Sequence, residues 1–251
     1  SKPFGINVPL IFTHAPAFIA IAIEEKVPVV FTSAGNPAKY TTHMKENGIR
    51  VVHVIANTKG AKKSEESGCD AVVAEGYEAG GHNGKEETTT MVLVPHVVQT
   101  VKIPVIAAGG IGAGRSMLAA MALGAEGVQI GSRFAACAES SAHPAFKQMI
   151  LEAAEGDTKL SLRKLMPVRL LNSPFYKKVS EMEANGASAE ELLAFLGQGR
   201  SRKGMFEGNM DEGELEIGQV SAMINEIKSA GEIVKEIVEE YNSLLPELSR
   251  L

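Results

Sequence analysis

Apolar positions along the chain fall in short unbroken runs: "FGINVPLI", "VPVVFTSA", "IRVVHVIA", "DAVVAEG", "IPVIAAGG" and "EGVQIGSRF". The runs are continuous rather than alternating, the pattern of strands covered on both faces. Between them lie stretches with helical spacing, among them "AFIAIAIEEK", "AKYTTHMKENG", "KGAKKSEESG", "TTMVLVPHVVQTV" and "GRSMLAAMALG". Gly48, Gly68 and Gly124 close three of these, as helix stops commonly do. Strand then helix, repeated without obvious hairpins, predicts parallel βαβ units.

Two architectures fit such a pattern, an open doubly wound sheet and a (β/α)8 TIM-type barrel. Local chemistry favours the barrel. "VIAAGGIGAGRS" and "VQIGSRF" are successive strands that end in glycine or small polar residues. Barrels build a phosphate site from the loops after strands seven and eight. If these are those strands, the earlier runs are strands three to six, and strands one and two are absent from this sequence. The start at Ser1 rather than Met agrees, and further N-terminal residues are expected. Residues 1–135 are therefore expected to form barrel strands three to eight. Beyond about Phe134 the pattern turns mostly helical, and residues 136–251 are expected to be a helical extension covering the barrel and substrate site. Ser188 and Glu191 form a capping-box pattern there. "GQGRSRKGMFEGNMDEGE" reads as a loop.

With 251 residues, 45% of them hydrophobic, the chain can bury a substantial core. A net charge of −5 argues against nucleic acid as the main partner. Cys69 and Cys137 form no C-x-x-C pair and read as small apolar packing groups. No apolar run approaches the ~18–20 residues that span a bilayer, so no membrane association is expected.

Ligands of parallel α/β folds bind at the carboxyl ends of the strands. Those ends carry Asn7, Ser33 to Asn36, Glu75 to His82, Gly109-Gly110 and Gln129 to Ser132. Main-chain N–H groups at Gly109, Gly110, Gly131 and Ser132 can hold a phosphate; the alternative is that the glycines merely permit tight turns. "GGIGAGRS" is not a G-x-x-x-x-G-K-[ST] loop, which excludes that NTPase reading. Gly80 and Gly81 would clear room for a flat ligand, and His82 stands at its edge. Imidazole is the natural proton-transfer group near neutral pH. Glu75 either accepts from a ligand N–H or caps the loop. His14, His43, His53, His96 and His143 read as structural or surface residues. No metal-ligand spacing and no G-x-S-x-G elbow is present.

At these residues the sequence resembles a known family. "FGINVPL", "TSAGNPAKY", "AEGYEAGGHNG", "PVIAAGGIGAGR", "GVQIGSRF", "ESSAHPAFK" and "GQVSAMI" resemble the flavin-dependent enoyl-acyl-carrier-protein reductases of type II. Those enzymes share an FMN-dependent barrel family with the nitronate monooxygenases. "AGNP" at Ala34 to Pro37, and Asn83 where monooxygenases often carry Arg, lie closer to the reductases. The resemblance implies FMN as cofactor, with Asn7, Glu75, Gly80 and Gly81 at its ring or ribityl chain. It places Gly109, Gly110, Gln129, Gly131 and Ser132 at its ring edge and phosphate, with Gln219 closing the site. His82 matches the catalytic His, and no metal is implied. NADH or NADPH would be co-substrate, an enoyl thioester on acyl carrier protein the substrate, and a cytoplasmic homodimer the expected form. The carrier is acidic, so Arg163, Lys164, Arg169, Lys177, Lys178, Arg200, Arg202 and Lys203 are candidates for its docking face. The rival readings are a nitronate monooxygenase, a phospho-ligand-binding barrel without redox chemistry, and an interaction module.

Overall fold

A computed structural model describes residues 3–248. Its strands are β1 (Gly5–Pro9), β2 (Val29–Ser33), β3 (Arg50–Ile55), β4 (Ala71–Glu75), β5 (Gly81–His82), β6 (Val105–Ala108), β7 (Gly127–Gln129), β8 (Thr158–Ser161) and β9 (Val168–Leu171). Its α-helices are α1 (Ala15–Glu24), α2 (Thr41–Glu46), α3 (Thr58–Glu66), α4 (Thr90–Val98), α5 (Gly114–Ala122), α6 (Ser132–Ala135), α7 (Pro144–Glu152), α8 (Pro174–Ala184), α9 (Ala189–Leu196) and α10 (Ala230–Leu248).

The chain divides into two compact units. The first runs to Glu75 and takes in Thr90–Ala108 and Ala120–Val128. It carries a sheet of six strands in the order β1-β2-β3-β4-β6-β7. Along it Gly5 pairs with Val29, Val29 with Arg50, Val52 with Ala71 and Val72 with Val105, all in parallel. Six sequential parallel strands with intervening helices are the βα repeat of a (β/α)8-type fold, as expected. The continuous apolar runs have a direct cause in the packing. Val30 and Val51 join one buried cluster with Ile19, Met44 and Ile49. Their neighbours Phe31 and Val52 join a second with Val73 and Ala108. Alternate side chains of one strand leave by opposite faces, and both faces are covered. Gly48, Gly68 and Gly124 all sit at positive φ just past α2, α3 and α5, where an L side chain is strained.

The second unit comprises Gly76–Thr89, Gly109–Ala119 and the chain from Gln129 onward. It contains strands that the mostly helical reading of the region after Phe134 did not foresee. β5, β9 and β8 form an antiparallel sheet in that order. Leu162, Val168, Leu170, Phe175, Val179 and Leu192 pack as one buried cluster behind it. A second cluster joins Phe146, Ile150, Leu171, Leu215 and Ile217. The capping box at Ser188 and Glu191 is formed, with Ser188 Oγ accepting from Glu191 N and Glu191 Oε2 accepting from Ser188 N. The stretch read as a loop contains a π-helical turn at Arg202–Phe206. Cys69 and Cys137 are buried and unbridged. No described helix is long and apolar enough to cross a membrane.

Candidate functional site

His82 is held by its backbone rather than by its ring. Gly81 pairs with Arg169 and His82 with Val168 across the β5–β9 ladder. Asn83 N donates to the Pro167 carbonyl at 2.8 Å, fixing the residue that follows. The buried Asn83 amide then ties back the glycine loop, donating to the carbonyls of Ala79 (2.9 Å) and Gly81 (3.0 Å). Arg169, only 2% exposed, fixes the other end. Its guanidinium donates to the Tyr77 carbonyl at 2.9 and 3.2 Å and lies over the Tyr77 ring. The His82 ring remains exposed.

That ring lines a cavity of about 440 Å³. Leu162, Leu165, Met166, Val168, Leu193 and Leu196 give it an apolar wall, and Arg200, Ser201 and Glu214 a polar one. Arg200 is committed to the fold, donating to the carbonyls of Phe195, Leu196 and Glu212. The arrangement offers one accessible imidazole beside a slot suited to an aliphatic chain.

The two glycines before His82 have packing roles in this unit. A methyl on Gly80 would stand 2.3 Å from the main chain of Ile217. A methyl on Gly81, at φ +77, would meet the Glu216 carboxylate at 2.5 Å. Segment 216–219 therefore closes directly over the loop. Gln219 N donates to the Glu78 carbonyl (2.9 Å), and Gly218 N to Ser132 Oγ (3.0 Å). These contacts bring Gly80, Gly81, Ser132 and Gln219 together, with Gly110 in van der Waals reach of the Glu78 side chain. Gly109 and Gly110 follow one another at φ +91 and +69. Gly131 faces open space where a Cβ would sit. Ser221 is buried with its hydroxyl unpartnered. The open space at Gly131, together with a buried hydroxyl, suits a group bound through main-chain amides.

A smaller cavity of about 190 Å³ adjoins Gly110, lined also by Arg115, Arg133, Glu236 and Glu240. Glu240 accepts from Gly114 N and from Arg115 Nε, both at 2.6 Å, and α10 thereby fastens the start of α5.

Asn7 and Glu75 lie in the first unit, Asn7 exposed within β1 and Glu75 at the end of β4. Burial pushes the Glu75 carboxyl up to about 7. Gln129 ends β7, partly buried. His53 is buried with Nδ1 2.7 Å from Thr32 Oγ1, and burial lowers it to about 4. His143 accepts from Ala145 N as the cap of α7. No metal-binding cluster occurs among the described residues.

The basic docking set needs correction. Arg169 is buried and cannot meet a partner. Arg163 is paired with Glu87, Arg202 with Glu207 and Lys203 with Glu212. Lys177 and Lys178 are exposed. Sequence patterns missed Arg169 as a loop anchor, and missed Glu214, Glu216 and Ser201 altogether. A basic residue in an apolar run, "PVRLL", was the available signal for the first.

A family model described as nitronate monooxygenase matches residues 11–240. FabK from Thermotoga maritima, a solved structure, is 44% identical with a TM-score of 0.93, the match covering 99% of this chain and 79% of FabK. An indene-carboxyl-CoA dehydrogenase of Rhodococcus jostii is 31% identical over 100% of this chain and 81% of its own. A probable nitronate monooxygenase of Staphylococcus saprophyticus is 31% identical over 97% of this chain and 72% of its own.

Proposed function

The chain belongs to the nitronate monooxygenase family, a family of flavin-dependent oxidoreductases, and from that premise we propose that it reduces trans-2-enoyl thioesters of acyl carrier protein. NADH or NADPH is the reductant in this reading. The observation that carries it is the His82 cavity, whose wall of Leu and Met side chains suits an acyl chain running past one imidazole. The likeness to FabK, an enoyl-ACP reductase of type II, supports the same choice. So does the likeness to a dehydrogenase whose name specifies a CoA thioester.

FMN, when bound, supplies hydride transfer. In this reading it would be held in the second unit by the main chain of Gly80, Gly81, Gly109, Gly110, Gly131 and Ser132, with Gln219 beside them. The chain's own chemistry is proton delivery and positioning. An imidazole nitrogen of His82 holds the proton that the substrate α-carbon receives. As a hydrogen-bond donor it also steadies negative charge developing on the thioester oxygen. The β5–β9 pairing and the Asn83 amide fix its backbone. The aliphatic wall excludes water from the acyl chain and orients it.

A second reading, nitronate oxidation with His82 as base, is favoured by the names of curated relatives. The two separate in one paired assay on FMN-loaded protein. NAD(P)H oxidation that requires a crotonyl thioester under anaerobic conditions supports the reductase. Oxygen uptake with a nitronate and no nicotinamide supports the monooxygenase.

A further inference from the structure

Carbonyl oxygens take all three hydrogens of a buried ammonium that lies outside the lining of the His82 cavity. Lys147 is 7% exposed and sits in the first turns of α7. Its Nζ donates to the carbonyls of Cys137 (2.6 Å), Ser140 (2.9 Å) and Ala138 (3.3 Å). An ammonium has three hydrogens, and all of them go to one short segment, 137–140. Local propensity does not favour a cation here. Positive charge near a helix N-terminus opposes the helix dipole, and a buried charge is costly unless polar partners surround it. Phe146 and Ile150 seat α7 independently, in the apolar cluster with Ala136, Leu171, Leu215 and Ile217. The ammonium therefore serves the segment rather than the helix.

Residues 137–140 in turn join α6 to α10. Cys137 N donates to the Phe134 carbonyl (3.1 Å) and Ala136 N to the Ser132 carbonyl (3.3 Å), so the segment continues directly from the turn that carries Ser132. Ala138 N donates to the Lys228 carbonyl (2.9 Å) and Ala230 N to Glu139 Oε2 (2.9 Å), which fixes the lead-in to α10. α10 then accepts from Arg133 through Glu236 and from Gly114 N through Glu240. Without the ammonium, three carbonyl oxygens would point into one void, and each would lose a hydrogen bond that a buried acceptor needs.

We propose that Lys147 is a tethered cation, its ammonium filling a carbonyl cage at residues 137–140 and thereby positioning Gly131 and Ser132 for FMN. The proposal rests on the reading that the main chain of those two residues holds the cofactor. Lys147 acts through the segment it binds and is a positioning residue. The cage recognises a primary ammonium by three converging acceptors, so it also takes a free one when the side chain is cut back.

The test uses Lys147→Ala in the full chain, with propylammonium or tetramethylammonium added at equal concentration. Alanine keeps Cβ, and propylammonium supplies the missing methylenes and the charge. FMN affinity, read by flavin fluorescence titration, should fall on the order of tenfold in the variant. Propylammonium should restore it, and tetramethylammonium, which has no hydrogen to donate, should not. The melting temperature of the cofactor-free variant should rise with the same selectivity, while wild type responds to neither ion. Proton–nitrogen NMR of wild type reads the cage without any substitution. Freely exposed ammonium protons exchange with water too fast to observe at neutral pH, whereas those of Lys147, assigned by through-bond correlation along its side chain, should give a visible signal. Absence of that signal, or a variant that propylammonium rescues no better than tetramethylammonium, overturns the tethered cation. Wild-type FMN affinity in the variant overturns the positioning role. Selective rescue of melting in a protein whose wild type takes no FMN overturns that role through loss of the cofactor reading, a failure distinct from loss of the cage.

Discussion

Replacing Gly80 by alanine separates a packing role from a ligand role at the most suggestive spot in the sequence. The added methyl would stand 2.3 Å from Ile217 C and 2.5 Å from both Ile217 Cα and Gly218 N. Carbon contacts settle near 3.5–4.0 Å, so main chain must retreat by about 1 Å. That main chain is pinned. Gly218 N is bonded to Ser132 Oγ, Gln219 N to the Glu78 carbonyl, and Leu171 N to the Leu215 carbonyl nearby. Overpacking of this kind costs about 1–3 kcal/mol, and strained hydrogen bonds push it to the upper end. For a chain of this size that lowers Tm by roughly 6–12 °C. Gly131→Ala is the control, since its methyl enters open space at φ −101. In calorimetry of the cofactor-free proteins, Gly80→Ala should melt well below wild type and Gly131→Ala within about 1 kcal/mol of it. Gly131→Ala should instead weaken FMN binding in a fluorescence titration. A Gly80→Ala protein that melts like wild type would refute the packing account.

Other perturbations test other parts. Burial raises Glu75 from about 4.5 to about 7, so the folded state holds its proton more tightly than the unfolded chain. Its contribution is then full below pH ~4.5 and is lost as pH rises through about 7; Glu75→Gln should equal wild type in urea unfolding at pH 4 and exceed it at pH 8 by at most about 3 kcal/mol. Arg169→Ala removes two charged hydrogen bonds to the Tyr77 carbonyl and should cost about 2–4 kcal/mol in the same experiment. A cost below 0.5 kcal/mol would show that the loop stands without it.

The six parallel strands were legible because helices and neighbouring strands cover both their faces, which leaves continuous runs of Val, Ile and Ala. β8 and β9 were not. "TKLS" has a single apolar residue among four, and "VRLL" places a buried cation inside a four-residue strand, so neither carries a strong period. β5 has two residues, too few for any pattern. The candidate site divided in the same way. Gly80, Gly81 and His82 stood out by residue type in one short stretch. The cavity wall came from Leu162 to Leu196 and from Arg200, Ser201 and Glu214, far along the chain. The antiparallel β5–β9 ladder sets Val168 of that wall beside His82. Within the basic stretch "LSLRKLMPVR", Arg163 and Lys164 are exposed while Arg169 turns inward, because side-chain direction in β9, not sequence charge, decides its burial.

The central claim is that the His82 imidazole delivers the proton in enoyl reduction. Steady-state NAD(P)H oxidation with an enoyl thioester, compared between wild type and His82→Ala at equal FMN loading, tests it most directly. The account predicts a loss of about 10²–10⁴-fold in kcat with the flavin absorption spectrum retained. Undiminished turnover in His82→Ala would contradict it.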